Sequence, residues 1–132
     1  MRVVLDTNVV VSAMLNPNGA PGAILRAVLD GRLQLLVDNR IVFEYSDVLR
    51  RPKFLFDSYD VHAFLDFIEH GAEYVTVAPV DAQFDDPDDR PFYEVALGGD
   101  ANYLITGNTG HFPENPVVRS PRLFLQVFSV CE

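Results

Sequence analysis

The 132-residue sequence has one cysteine, no tryptophan, and only 10 lysines and arginines against 19 aspartates and glutamates. One cysteine, Cys131, cannot form an internal disulfide, so we expect a reducing, cytoplasmic environment and assign this residue no role. No apolar stretch approaches the roughly 20 residues that span a bilayer, so we expect no membrane partner. Asp6 and Asn8 interrupt the first apolar segment, which argues against a secretion signal.

The net charge of −9 limits the partners that we expect. Proteins that coat nucleic acids nonspecifically need many lysines and arginines to displace counterions, so this class is disfavoured. A nucleic-acid enzyme stays open, because metal ions can neutralise acids in its site and a local basic strip can hold phosphates. A basic partner protein is also compatible with this charge.

Several familiar catalytic motifs are absent. The sequence has no G-x-S-x-G, P-loop or G-x-G-x-x-G pattern, and no Cys/His cluster for zinc. It also has no internal repeat, low-complexity tract or interdomain linker. The length therefore predicts a single domain, residues 1–132, with one core of its own.

Short apolar runs alternate with segments of helical periodicity along the chain. The predicted strands cover residues 2–5, 33–37, 74–77, 102–106 and 116–119. The predicted helices cover residues 9–15, 21–30, 39–50, 60–70, 90–97 and 121 to about 128. Strands separated by helices favour parallel pairing, and parallel sheets bind ligands at the carboxyl ends of their strands. We therefore predict an α/β fold with a site at that edge.

Two acids lie where such a site would form. Asp6 follows the first strand and can serve as a metal ligand or nucleophile, or it can merely cap the following turn. Glu44 lies at the edge of the apolar stripe of its helix, where an unpaired carboxylate is costly unless it binds a cation. A salt bridge to Arg40 or Arg51, or simple solvation, is the alternative.

A third acid heads the helix that follows an acidic loop. In FDDPDDRPFYEVA (84–96), Asp89 lies three, four and seven residues before apolar positions, which places it on the inward face. The nearby acids are expected to be solvated or to cap the helix; they are Asp85, Asp86 and Asp88. Capping is also the alternative for Asp89.

The turn after the fourth strand adds neutral oxygens. The segment LITGN (104–108) ends with Thr106 and Asn108, which could bind a metal ion or its water. A glycine-containing turn without a ligand is the alternative. His111 follows this turn and could relay protons, although most histidines in such places are structural.

Carboxylates gathered at one edge repel each other, and a Mg²⁺ or Mn²⁺ ion relieves that repulsion. Such ions can activate water and stabilise the charge that develops on a phosphodiester, so the site composition favours phosphoryl chemistry over acyl transfer. The densest basic strip, LRRPKF (49–54), carries Arg50, Arg51 and Lys53. These residues could contact phosphates, and a solvated helix end is the alternative.

Four stretches, taken in order, resemble the PIN domain family and in particular its branch of VapC-like toxins. They are VVLDTNVVVSAML, IVFEYSDVLRRPKF, DPDDRPFYEVAL and NYLITGNTGHFP, and together they cover nearly the whole chain. The resemblance implies a three-layer α/β/α sandwich around a parallel sheet of about five strands. It also implies a Mg²⁺- or Mn²⁺-dependent ribonuclease with an RNA substrate, a cognate antitoxin that blocks the cleft, and a homodimer.

Carried over by position, the resemblance makes Asp6, Glu44 and Asp89 the catalytic acids and metal ligands. The family usually has a fourth acid where this chain has Asn108. An asparagine can coordinate a metal through its carbonyl oxygen, but it contributes no charge, so a second metal ion would be held less tightly.

Supporting roles are expected for three further residues, Asn8, Thr106 and Asp38. Asn8 is expected to brace the Asp6 carboxylate, and Thr106 is expected to position water or ligand together with Asn108. Asp38, at the end of the second strand, could partly supply the charge that Asn108 lacks.

Two other functions stay open at this level. A catalytically weak or silent PIN-like module that binds RNA or a partner would fit the asparagine at position 108 and the charge of −9. A phosphoaspartate protein, either a phosphatase or a receiver, would fit Asp6 at a strand end. The second is disfavoured because Asn8 breaks a D-x-D pair and no lysine lies near a late strand end.

Overall fold

The computed structural model describes the backbone of residues 1–131 and the side chains of residues 1–130, so the Cys131 side chain lies outside the described part. The strands are β1 (Arg2–Leu5), β2 (Gln34–Val37), β3 (Glu73–Tyr74), β4 (Tyr103–Ile105) and β5 (Val118–Arg119). The α-helices are α1 (Thr7–Leu15), α2 (Ala20–Leu29), α3 (Asn39–Leu49), α4 (Ser58–Gly71), α5 (Arg90–Gly98) and α6 (Pro121–Cys131). Short 3₁₀ turns cover Pro52–Phe54, Pro87–Asp89 and Thr109–His111.

The strands form one sheet in the order β3–β2–β1–β4–β5, and every neighbouring pair is parallel. The six helices flank this sheet, which confirms the predicted α/β/α fold with about five parallel strands. Strand β1 is central, and Val3, Val4 and Leu5 are fully buried. This explains why the first strand is an uninterrupted apolar run, because both faces of a central parallel strand are covered.

The third strand is shorter than the predicted strand over 74–77. Its register pairs Leu36 with Glu73 and Val37 with Tyr74. Strand β2 then ends, since Asp38 begins the next helix as its N-cap. Residues 75–77 consequently have no strand to pair with beyond one hydrogen bond from the Val75 N–H to the Val37 carbonyl (3.0 Å).

The first helix begins earlier than predicted, at Thr7, directly after the strand. Asp6 is therefore both the last residue before the helix and the first after β1. At the other end of the chain, the Ser120 hydroxyl accepts a hydrogen bond from the Leu123 N–H (3.3 Å) and caps α6 as predicted. That helix runs past its predicted end near 128, to Cys131.

The core contains a ring cluster that holds α3 against the central strand. Tyr45 is fully buried, and its hydroxyl donates to the Leu5 carbonyl (2.5 Å). Its ring centroid lies 5.9 Å from that of Phe64 and 6.3 Å from that of Phe92. This contact places the residue before Tyr45, which is Glu44, close to the carboxyl end of β1. Over residues 1–131, no helix has the length and apolar character needed to cross a membrane.

Candidate metal centre and active site

Asp6 lies at the carboxyl end of β1 and is only 6% exposed. Its Oδ2 atom accepts hydrogen bonds from the Thr106 hydroxyl (2.8 Å) and from the Asn8 side-chain amide (3.3 Å). Its carboxylate makes no capping hydrogen bond to α1, so simple capping does not account for it. Burial raises the pKa of Asp6, and the hydrogen bond from Thr106 opposes this rise only in part.

Two neighbours hold the Asp6 carboxylate in place. Thr106 is fully buried, and besides donating to Asp6 its hydroxyl accepts from the Asn108 backbone N–H (3.0 Å). The Asn8 side-chain oxygen accepts from the Gly107 N–H (3.0 Å), so Asn8 connects the acid to the turn after β4. The Thr106 hydroxyl therefore connects the Asp6 carboxylate to the turn after β4, and its expected part in positioning water or ligand stays a prediction.

Glu44 projects from α3 and is half-buried. Its Oε2 atom accepts a short hydrogen bond from the Thr7 hydroxyl, a contact that no motif in the sequence indicates. Arg40 and Arg51, the partners that the sequence offered, each pair with other carboxylates. The salt-bridge alternative for Glu44 is therefore wrong. Burial raises the pKa of Glu44, and the charge of Asp6 raises it further.

Asp89 closes the 3₁₀ turn Pro87–Asp89 and precedes α5 without making a capping hydrogen bond. Its side chain is 14% exposed, and its Oδ2 atom lies 3.6 Å from Nδ1 of His111. Burial, followed by repulsion from Asp6 and Asp86, raises the pKa of Asp89 to about 6. The charge of His111 works in the opposite direction.

The three acids thus come from a strand end, a helix and a turn, and they lie close enough to repel one another. The charge of Asp6 contributes to the raised pKa of both Glu44 and Asp89. Within residues 1–131, no arginine or lysine lies within ion-pair distance of any of the three. Of the cationic side chains, only that of His111 lies beside one of these acids, Asp89, so the described residues leave most of the negative charge without a partner.

The three carboxylates are more widely spaced than a tight ligand cage. In the described part of the chain, the three-ligand grouping with atoms within 4.8 Å of one another is Asp66, Glu69 and His70. That grouping is exposed on α4 and contains none of the three candidate acids. Exposed acidic groups of this kind are common in proteins that bind no metal ion there. We assign it no function.

The turn after β4 leaves Asn108 exposed at the site. Its backbone N–H donates to Thr106, and its carbonyl accepts from the His111 N–H (3.0 Å). Asp38, expected to supply the missing charge, is instead bound at the start of α3. It accepts from the Ile41 N–H (3.0 Å) and pairs with Arg40 (2.7 Å), so it does not compensate for Asn108.

The predicted basic strip is divided by the fold. Arg51 lines an open cavity of about 560 Å³ together with Glu44 and Asp88. Arg50 lines a separate cavity and bonds to its own helix, and Lys53 lies over the Phe54 ring (5.0 Å). Only Arg51 of the three is therefore placed beside one of the predicted acids.

Sequence reasoning missed Glu94, a carboxylate that is 3% exposed in the middle of α5. Its Oε1 atom accepts from Arg40 (2.7 Å), and its Oε2 atom accepts from the Val80 N–H (3.0 Å) and lies 3.5 Å from Arg90. Burial alone would raise the pKa of Glu94, but the hydrogen bonds from Arg40 and Val80 outweigh it and lower the pKa.

The ion pair of Glu94 connects α5 to α3, the two helices next to Asp89 and Glu44. It therefore contributes to the spacing of the candidate metal ligands without being one of them. A signal was available in the sequence, since Glu94 is the only charged residue in the apolar stretch FYEVAL (92–97). Its partner Arg40 is 54 residues away, which no local pattern reveals.

The comparison with known proteins agrees with this architecture. A relative from Methanocaldococcus jannaschii, an uncharacterized protein, is 29% identical over 111 residues, which are 82% of this chain and 71% of the relative. The description of this relative does not mention VapC-like toxins, so the assignment of this chain to that branch stays a prediction. A family model described as the PIN domain matches residues 2–110, and PIN domains are generally nucleases. With its sheet order, flanking helices and this match over most of its length, the chain belongs to the PIN domain family.

Proposed function

We propose that this chain is a metal-dependent endoribonuclease that hydrolyses RNA phosphodiester bonds. The observation that carries the proposal is the set of three mutually repelling carboxylates, Asp6, Glu44 and Asp89, at the carboxyl edge of the sheet. Holding such a set without a cationic partner costs stability, and a bound divalent cation removes this cost.

The donor set fits Mg²⁺ or Mn²⁺. All three candidate ligands are carboxylates, which hard cations prefer. Asn108 adds an amide oxygen in the turn after β4. Their spacing exceeds that of a tight cage, and this suits an ion such as Mg²⁺ that keeps several of its waters. When bound, the ion would activate water and offset the charge that develops on the phosphate.

The chain itself supplies orientation and a proton site. Thr106 and Asn8 fix the Asp6 carboxylate, and the Thr7 hydroxyl fixes Glu44. In the metal-free site Asp89 has a pKa of about 6, so binding of the ion near that pH displaces a proton from this carboxyl. Nδ1 of His111 lies 3.6 Å from Asp89 Oδ2, which is too far for a hydrogen bond but close enough for the charge of the imidazolium to favour the ionised carboxylate.

The finer proposal is that the protein is the toxin of a toxin–antitoxin pair in the cytoplasm. It is supported by the resemblance of the RPKF and HFP segments to the VapC-like branch. In this proposal a cognate antitoxin inserts into the acidic cleft, and the toxin forms a homodimer. Induced expression should then arrest growth, and the Asp6→Asn variant should not; equal growth with both proteins would count against a toxin.

The nuclease proposal is tested with purified protein, labelled RNA and either Mn²⁺ or Mg²⁺. We expect cleavage that needs the ion and is abolished by Asp6→Asn. Asp66→Asn, which alters the exposed acidic grouping on α4, is the matched control and should cleave normally. Cleavage that survives Asp6→Asn, or that chelation does not stop, would contradict the proposed site.

A second candidate is a module that binds RNA or a protein partner without cutting. The neutral Asn108 favours it, because the site then has one carboxylate fewer to hold a metal ion. This candidate predicts RNA binding without cleavage under either ion. Cleavage by the wild type separates the two, and Asn108→Asp then tests whether the missing fourth acid is what limits cleavage, because restoring that acid should increase metal-dependent cleavage.

A further inference from the structure

Phe43 is an exposed aromatic residue on α3, directly before Glu44 in the chain. Of its surface, 74% is accessible to solvent, whereas Ile41 and Tyr45 on the same helix are fully buried. Other large apolar side chains are exposed too, so exposure alone does not indicate a binding site. Phe43 differs because it lines the cavity of about 560 Å³ that also contains Glu44.

This cavity is large enough for a nucleobase and has an aromatic ring in its wall. Ligand pockets are commonly about 300–1,000 Å³, and this one combines the Phe43 ring with two rigid residues, Pro87 and Pro91. Glu44 and Asp88 also line it, so the cavity borders the proposed metal centre at one of its three acids, Glu44. A base held here would bring its own phosphate close to Glu44.

Arg51 supplies a phosphate contact at the same cavity. Its partner Asp47 is 3.1 Å away, and both side chains are about half exposed. Such surface pairs contribute little, so Arg51 can exchange the carboxylate for a phosphate at small cost. Arg40 also lines the cavity, but it is held by two carboxylates, one of them buried, and is not available in this way.

We propose that Phe43 is a stacking platform for one base of single-stranded RNA, with Arg51 contacting the neighbouring phosphate. The proposal rests on the proposed nuclease function and adds a binding subsite to it. Bases in an RNA duplex are stacked on each other and their faces are not accessible, so the platform selects unpaired RNA.

The test measures the binding of a labelled single-stranded RNA in EDTA, where no metal-dependent cleavage occurs, and then kcat and KM with Mn²⁺. We expect Phe43→Ala to weaken binding and raise KM about tenfold, with a small effect on kcat. Phe43→Trp should retain binding, because it keeps an aromatic face. Tyr59→Ala is the matched control, since Tyr59 is 78% exposed but does not line the cavity.

Wild-type binding of the RNA by Phe43→Ala, or an equal loss in Tyr59→Ala, would overturn the platform. The first result would assign the exposed ring to a protein interface instead. Failure of the nuclease proposal looks different: wild-type protein would bind RNA through Phe43 and cut nothing. If Phe43→Ala cleaves RNA with an unchanged KM, the stacking role of Phe43 is refuted and the nuclease proposal still stands.

Discussion

Replacing Asp89 by asparagine should stabilise the metal-free protein at neutral pH and weaken its binding of divalent ions. The pKa of this carboxyl is raised from 3.8 to about 6 in the folded state. A group with a raised pKa binds more protons when folded, so its ionisation destabilises the fold. The protonated Asp89 carboxyl therefore contributes to the free energy of unfolding. This contribution is fully present below about pH 3.8, decreases as the pH rises, and is fully lost above about pH 6.

The size of the effect follows from the same shift. A rise from 3.8 to about 6 corresponds to about 3 kcal/mol if solvent screening is ignored. The side chain of Asp89 keeps some contact with solvent, so we expect about 1 kcal/mol after screening. For a chain of this length, that is about 3 °C in Tm.

The assay is thermal unfolding in EDTA across pH 4–8 for wild type, Asp89→Asn and Asp85→Asn. Asp85 is an exposed acid of the same loop, so its variant controls for the loss of one charge. Above pH 7 only Asp89→Asn should melt about 3 °C higher, and the gain should shrink as the pH falls from about 6 toward 4. Added Mn²⁺ should reverse the order, because wild type gains more from binding.

Two results would refute this reasoning. If wild type and Asp89→Asn melt at the same temperature above pH 7, the carboxylates do not repel one another as the structure indicates. If Asp85→Asn gains as much as Asp89→Asn, the effect belongs to the net charge of −9 and not to the cleft. Either outcome removes the argument that the cleft needs a cation.

Three further substitutions test how the fold supports the site, each by urea unfolding. Glu94→Gln should cost about 2 kcal/mol or more, because it breaks a buried ion pair, and a smaller loss would mean that this network is not structural. Tyr45→Phe should cost about 1–2 kcal/mol by leaving the Leu5 carbonyl without its donor; no change would show that water replaces it. Gly22→Ala should cost about 2 kcal/mol, since its Cβ would lie 2.1 Å from the Pro17 carbonyl oxygen, and wild-type stability would contradict this close approach.

The sequence predicted the architecture well because hydrophobic periodicity is a local property that burial enforces. Strand β1 shows this, since its apolar residues are fully buried as predicted. The third strand shows where prediction from local residue preferences fails. The residues of YVTV (74–77) favour a strand, but a strand also needs a partner, and β2 ends at Val37. The length of a neighbouring strand is not contained in local propensity.

The candidate site was predictable in its members but not in their surroundings. Periodicity and resemblance selected Asp6, Glu44 and Asp89, yet neither indicates which donors hold them. The contact of Thr7 with Glu44 spans 37 residues, and that of Thr106 with Asp6 spans 100. Such contacts arise from the crossovers of the sheet, so they appear only once the strand order is known.

The kind of partner that each carboxylate has separates structural acids from candidate metal ligands. Glu94 is bound to an arginine, which lowers its pKa and commits its charge to the fold. Asp6 and Glu44 are held by the hydroxyls of Thr106 and Thr7, which fix the position of a carboxylate without neutralising it. A hydroxyl partner therefore leaves the full charge available to a cation. Because this distinction is electrostatic, replacing either threonine by valine should loosen the acid while keeping its charge, so metal affinity should fall without the rise in stability expected of a removed carboxylate.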